Sequence, residues 1–178
     1  MRFFVTRHGE TDWNALNKVC GRTEVELTDK GRRQAAELGD RLADKGIDVI
    51  ISSPMKRAVE TSRIIAERCG AHIEIDDRLI EQDYGIYEGV DRKDEGFLGN
   101  KRNFAFRYPG GESMMQVAYR TYGLIDELRG RYSGRNVLIV CHGGVCRVIN
   151  TYFRDMTNEE FFMYSMGNCG VEEYIVSD

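Results

Sequence analysis

The sequence predicts an α/β fold, a three-layer α/β/α sandwich around a mostly parallel central sheet. Three observations predict it. The runs "FFVT", "DVIIS" and "NVLIVC" are short, continuously apolar and rich in β-branched residues, as strands buried on both faces are. Each is followed by Gly, Ser or Pro and then by helical periodicity. Strands that alternate with helices imply βαβ units, whose parallel strands are covered on both sides.

Each element has its own signals. The chain of 178 residues is expected to form one domain, spanning 1–178. "FFVT" is the first strand. "TDKGRRQAAELGDRLADKG" opens on Thr28 as N-cap, carries Ala35, Leu38 and Leu42 at helical spacing, and stops at Gly46. "DVIIS" leads into "PMKRAVETSRIIAERCG", with Pro54 near the first turn and Gly70 at the far end. "GESMMQVAYRTYGLIDELRGRYSG" is the longest helical stretch, "NVLIVC" the third buried strand, and "VEEYIV" a short closing strand. Residues 82–111 read as irregular. That length, with its glycines and aromatics, marks a functional loop or active-site cover. His72, in "GAHIEI", has no partner signal and is expected to be structural or exposed.

Composition narrows the function classes. Apolar residues make up 42% and charged residues 30%, as in soluble globular proteins. A net charge of -4 argues against a general nucleic-acid binder. "MRFFVTRHGE" is too short of apolar residues for a signal-peptide core, and no run approaches the roughly 20 residues that cross a bilayer. The expectation is a cytoplasmic protein without nucleic-acid or membrane partners; the oligomeric state is left open. Five scattered cysteines without a CxxC pair suggest reduced thiols and no zinc site.

Ligands of parallel α/β sheets bind beyond the carboxyl ends of the strands. After the first strand come Arg7, His8, Gly9 and Glu10. After the second come Ser52, Ser53, Pro54, Lys56 and Arg57. After "NVLIVC" come His142, Gly143 and Gly144. Two arginines and two histidines thus converge on one sheet edge. They suit a phosphoryl group. Guanidinium matches phosphate oxygens bidentately, and backbone N–H groups of glycine turns such as that at Gly143 add donors. Neutral imidazole is a nucleophile that becomes cationic on attack.

A competing reading makes Cys141 the nucleophile, since Cys141 and Arg147 have the spacing of cysteine phosphatases at a strand-to-helix junction. That reading leaves Arg7, His8 and Arg57 unexplained. Alternation along a strand also turns Cys141 and His142 to opposite faces.

The chain resembles the histidine phosphatase superfamily, also called phosphoglycerate mutase-like. The resemblance runs through "TRHGETDWN", "GRTEVELTDKGRRQA", "SSPMKRAVETS", "LIEQDYGIYEG", "PGGES" and "VLIVCHGG", in family order and over nearly the whole chain. It implies that His8 is the nucleophile that becomes phosphohistidine. It implies that Arg7, Arg57 and His142 line the phosphate pocket, with Asn14 as a further pocket residue. Glu81 matches the acid that protonates the leaving oxygen, with Glu88 as its rival. The Gly9 carbonyl would orient the His8 ring, and Glu10 would hold the site through hydrogen bonds. The backbone at Thr23 lies where some members touch substrate. Neither metal nor cofactor is implied, because the arginines and His142 neutralise the charge.

The short chain and "PGGES" resemble the phosphatase branch, which includes α-ribazole phosphatases and broad-specificity phosphatases. The expected activity is therefore metal-independent hydrolysis of a small phosphorylated metabolite, such as α-ribazole phosphate or a sugar or glycerate phosphate. Tyr84, Arg92, Lys101 and Arg102 fall where mutases of the family hold a phosphoglycerate, so mutase is the alternative. A non-catalytic phospho-ligand-binding module is a third reading.

Overall fold

Successive residues of a strand face opposite ways, and here both directions are covered. The computed structural model describes residues 1–176. Strand β1 (Arg2–Arg7) is followed by the short helix α1 (Asp12–Ala15) and by α2 (Asp29–Leu42). Then come β2 (Val49–Ser52), α3 (Lys56–Cys69), β3 (His72–Ile75), α4 (Glu95–Lys101) and α5 (Met114–Arg131). The chain continues through β4 (Asn136–Cys141), α6 (Gly143–Phe153), α7 (Asn158–Met163) and β5 (Val171–Ile175). Phe3, Val5, Val137, Ile139 and Cys141 pack with Val117 and Leu124 of α5 and Val145 and Val148 of α6. Phe4, Ile50, Leu138 and Val140 pack on the other face with Ala35 and Leu38 of α2 and Ala58 and Ile65 of α3. Helix, sheet and helix are therefore the three layers, as expected.

The sheet runs β3-β2-β4-β1-β5. β3, β2, β4 and β1 are parallel, and β5 is antiparallel to β1. Val140 lies opposite both Thr6 and Ser52, and Arg7 lies opposite Cys141. The carboxyl ends of β1, β2 and β4 are thus level, and the residues after them share one edge.

The caps behave as their chemistry requires. Thr28 accepts from the Gly31 N–H at the start of α2, and Gly46 and Gly70 are left-handed (φ 61° and 72°). The segment 82–111 is not wholly irregular. It contains a 3-10 turn at Gly85–Tyr87 and the helix α4, whose N-cap Asp94 accepts from Phe97. β3 was not expected. It is a four-residue edge strand without a fully buried residue, so it lacks the apolar run that marks the others. His72 opens it, exposed, beside Glu74. Among the described residues, no helix is long and apolar enough to cross a membrane.

One close approach positions the loop after β1. A Cβ added at Gly31 would meet the Glu10 carbonyl, and one added at Gly9 would meet the Gly31 carbonyl. The loop that carries His8 therefore rests on the first turn of α2, backbone against backbone. Gly31→Ala should lower stability by about 1–3 kcal/mol, as overpacking does. It should also depress any activity of His8 more than an Ala at solvent-facing Gly123, where a Cβ meets nothing within 4 Å. Urea unfolding of both variants, with a rate assay, checks this.

Candidate active site

The backbone N–H of His8 donates to the Cys141 carbonyl at 3.0 Å, which ties the residue to the end of β4. Its Nδ1 lies 2.7 Å from the Gly9 carbonyl. A carbonyl only accepts, so this contact assigns the hydrogen to Nδ1 and the lone pair to Nε2. Arg57 Nε donates to that Nε2 at 3.2 Å. The Arg57 guanidinium is buried and held by the carbonyls of Thr23 at 3.0 Å and Gly21 at 2.6 Å. Those carbonyls are aimed by Glu88, which accepts the N–H groups of Gly21, Arg22 and Thr23 at 3.0, 3.0 and 3.4 Å.

His142 is the N-cap position of α6. Its ring centroid is 5.1 Å from that of His8, edge to face, and its Nε2 lies 2.7 Å from Ser53 Oγ. Both imidazoles are held well below the ordinary histidine range. Burial is the first cause for each, followed by the positive charge of Arg57. Both are therefore neutral near pH 7. The resting His8 is a neutral base with its lone pair facing guanidinium.

Beside His8 lies a cavity of about 210 Å³. Arg7, His8, Asn14, Glu81, Tyr84, Arg92, Lys101 and Gly143, all singled out from the sequence, line it. Arg57 and His142 stand behind His8, in contact with it. Arg7 Nε, Asn14 Nδ2 and His142 Nδ1 are buried and meet no hydrogen-bond partner among the described residues. An unpaired buried polar group costs about 1–3 kcal/mol. Arg7 and Asn14 line the cavity, so an anion beside His8 would satisfy both, and His142 Nδ1 as well where that nitrogen carries the ring hydrogen. Glu81 faces the same space. Its Oε1 accepts from the Gln82 N–H at 2.9 Å and its Oε2 from the Gly144 N–H at 3.0 Å. Arg120 of α5 clamps its backbone, donating to the carbonyls of Arg78 and Glu81 and to the Glu112 carboxylate. No group of three or more His, Cys, Asp or Glu side chains among the described residues has the arrangement of a metal site.

Over residues 3–178 the chain matches the histidine phosphatase superfamily, branch 1. The chain belongs to that superfamily. It is 36% identical over 150 residues to a "Probable phosphoglycerate mutase GpmB" of Salmonella paratyphi B, covering 80% of this chain and 70% of that relative. Among solved structures it is similar to Bacillus stearothermophilus YhfR (TM-score 0.88, 29% identity, 99% of this chain and 91% of that one). It is also similar to a mycobacterial glucosyl-3-phosphoglycerate phosphatase in complex with VO3 (TM-score 0.87, 28% identity, 97% and 90% covered). The fold expected from the sequence and membership in this enzyme superfamily agree.

Other residues singled out from the sequence stand outside the cavity. Thr23 does not reach the cavity; its carbonyl holds Arg57 instead. Arg102 lies outside the cavity, 3.9 Å over the Phe162 ring and 3.9 Å from Glu159, because it follows the last residue of α4 and turns toward α7. Glu88 is committed to the 21–23 loop. Glu10 meets Thr28 and Lys30 at the start of α2. Cys141 points into the core beneath the sheet, 3.5 Å from Cys146 Sγ, where burial pushes its thiol up and makes it unreactive.

Others were missed. Gln82, Tyr164 and Arg147 line the cavity, together with Phe97 and Tyr108 of the covering segment, which its aromatic content had marked. Asn168 donates to the His8 carbonyl and to Asn14 Oδ1, both at 3.0 Å. Arg147 had a signal: it is four residues after Gly143 on one helix, so it shares its face. Asn168 had none, since its partners lie more than 150 residues away.

The buried neutral histidines set a pH dependence. The unfolded chain protonates them near pH 6.5 and the folded one only well below, so folding excludes protons and stability falls as pH drops under 6.5. Each contributes up to about 1.4 kcal/mol per pH unit in that window. Thermal melts from pH 7.5 to 5 should show a fall that is shallower in His142→Gln. Parallel curves would contradict buried neutral imidazole.

Proposed function

We propose that the protein is a metal-independent phosphomonoesterase that passes the phosphoryl group through His8 Nε2 to water. The observation that carries this reading is the tautomer of His8: the Gly9 carbonyl takes the Nδ1 hydrogen and leaves the Nε2 lone pair free for attack. The phosphoryl oxygens would take the unpaired donors of Arg7, Asn14 and His142. The Arg57 Nε–H would turn from Nε2 to an oxygen as attack begins. Nε2 then bonds to phosphorus while the ester P–O bond breaks, and Glu81 gives its proton to the departing oxygen. Water next attacks phosphorus, Glu81 takes back a proton, the P–N bond breaks and inorganic phosphate leaves. Positive side chains close to the transferring group supply the charge stabilisation that phosphoryl transfer requires.

A specific relative favours a second reading. The Salmonella protein named "Probable phosphoglycerate mutase GpmB" is 36% identical. A mutase would return the phosphoryl group to the organic product instead of to water. The mycobacterial phosphatase, matched over 97% of this chain, supports hydrolysis.

Phosphate release from p-nitrophenyl phosphate and from 3-phosphoglycerate, with chelator present, tests the proposal. Isomerisation of 3-phosphoglycerate is followed separately. Turnover should fall by at least about 10³-fold in His8→Ala and persist in Cys141→Ser. Isomerisation without release would make the protein a mutase. Loss in Cys141→Ser alone would overturn the histidine mechanism.

The acid has its own signature. Glu81→Gln should lower kcat/KM by about 10²–10⁴-fold on alkyl phosphates, whose leaving oxygen needs a proton, and far less on p-nitrophenyl phosphate. Arg120→Met, which frees the Glu81 backbone, should show the same leaving-group bias at smaller size. Equal losses on both substrates would remove Arg120 from positioning the acid.

A further inference from the structure

The segment between α7 and β5 touches the site from outside the cavity. Arg7 Nη1 donates to the Met166 carbonyl, and the Cys169 N–H donates to the Arg7 carbonyl, both at 3.0 Å. Thr6 Oγ1 donates to the Gly170 carbonyl at 2.6 Å. Among these contacts stands Asn168, whose Nδ2 is 3.0 Å from both the His8 carbonyl and Asn14 Oδ1. The turn that presents it is fixed. The Gly170 N–H closes it on the Gly167 carbonyl at 2.9 Å, and the Cys169 side chain is buried in the core. Cys169 is left-handed (φ 52°) although it carries a Cβ, a conformation that persists only where the surroundings impose it.

Hydrogen bonding decides which way each of these amides faces, because the oxygen and nitrogen of an Asn side chain are alike in shape. The His8 carbonyl only accepts, so the Asn168 atom beside it is the NH2 group. One of its two hydrogens goes to that carbonyl, and the other reaches Asn14. The Asn14 atom that receives it is therefore the oxygen, which also accepts from the Thr11 N–H at 3.2 Å. The Asn14 NH2 group is left on the other side of the amide, buried and without a partner among the described residues, in a side chain that lines the cavity. Were the amide reversed, its NH2 group would meet two donors, and its oxygen would repel an anion beside His8. The His8 carbonyl thus sets, through Asn168, the sign of the group that Asn14 offers.

We propose that Asn168 is a positioning residue for phosphoryl binding: it holds the Asn14 amide with its NH2 group toward an oxyanion beside His8. This rests on the reading that a phosphoryl group binds there, and it names what aims one of the donors. Asn168 itself does not line the cavity, so it acts through Asn14 and not on the substrate. The same segment aims Arg7, whose Nη1 is taken by the Met166 carbonyl while its Nε stays unpaired.

Calorimetric binding of orthovanadate, an oxyanion that is not turned over, tests this. Asn14→Ala should raise the wild-type Kd by about 10- to 100-fold, the loss of one charge-assisted hydrogen bond. Asn168→Ala should raise it by about fivefold or more, because the Asn14 amide is then free to turn. In Asn14→Ala protein the same Asn168→Ala change should move Kd by less than about twofold, since the group it aims is gone. Asn168→Leu, similar in size but without a donor, should repeat the Asn168→Ala result. Asn168 is half-buried, so neither change empties the core. A Kd unchanged in Asn168→Ala or in Asn168→Leu, or equal factors with and without Asn14, would overturn the positioning role, as would wild-type protein that binds no vanadate. Phosphate release is assayed separately. Release without the coupling would sink the positioning role alone, and coupling without release would sink the phosphatase reading alone.

Discussion

His8 keeps its Nε2 unprotonated because the Gly9 carbonyl takes the hydrogen of the other ring nitrogen, and it stays neutral because it is buried and Arg57 stands against it. Much of the site follows from that contact. Arg57 can remain beside an imidazole only if its remaining donors are satisfied, and the carbonyls of Gly21 and Thr23 do so. Those carbonyls are aimed by Glu88, and the loop is tied onward by Arg22 to Glu112, which also receives Arg120. Arg120 in turn fixes the backbone of Glu81. Nucleophile, guanidinium and acid candidate are thus linked by one chain of hydrogen bonds and ion pairs, although they come from three distant parts of the sequence.

The sheet supplies the frame. Level strand ends bring Arg7, Ser53 and His142 to one edge, and apolar residues on alternate faces fasten that edge between two helical layers. Burying Arg57, His8 and His142 is unfavourable in isolation. The surrounding apolar core offsets that cost, and a bound dianion would offset it further. The site is built for a charge that the chain itself does not contain.

Much of this was legible in the sequence. β1, β2 and β4 are continuous apolar runs because both faces are buried, and Thr28, Gly46 and Gly70 mark helix ends through hydrogen bonding and left-handed backbone. Arg7, His8 and His142 were found because strand ends carry them. β3 was hidden because an edge strand needs no apolar run. Arg102 was misplaced because a basic run on a helix end does not say which of two neighbours faces the cavity; Lys101 does and Arg102 does not. Arg120, Asn168 and the role of Glu88 depend on contacts between remote segments, for which local pattern has no code. Cys141 carried a motif-like spacing, yet strand alternation sends its thiol into the core.

The most direct measurement is a single-turnover quench with a substrate labelled at phosphorus, followed by peptide mapping of any protein-bound label. Transfer to His8 Nε2 predicts label that appears and decays at the rate of turnover, is lost in acid, survives alkali and maps to the peptide holding His8. Turnover without bound label, or label on a peptide holding Cys141, would contradict it.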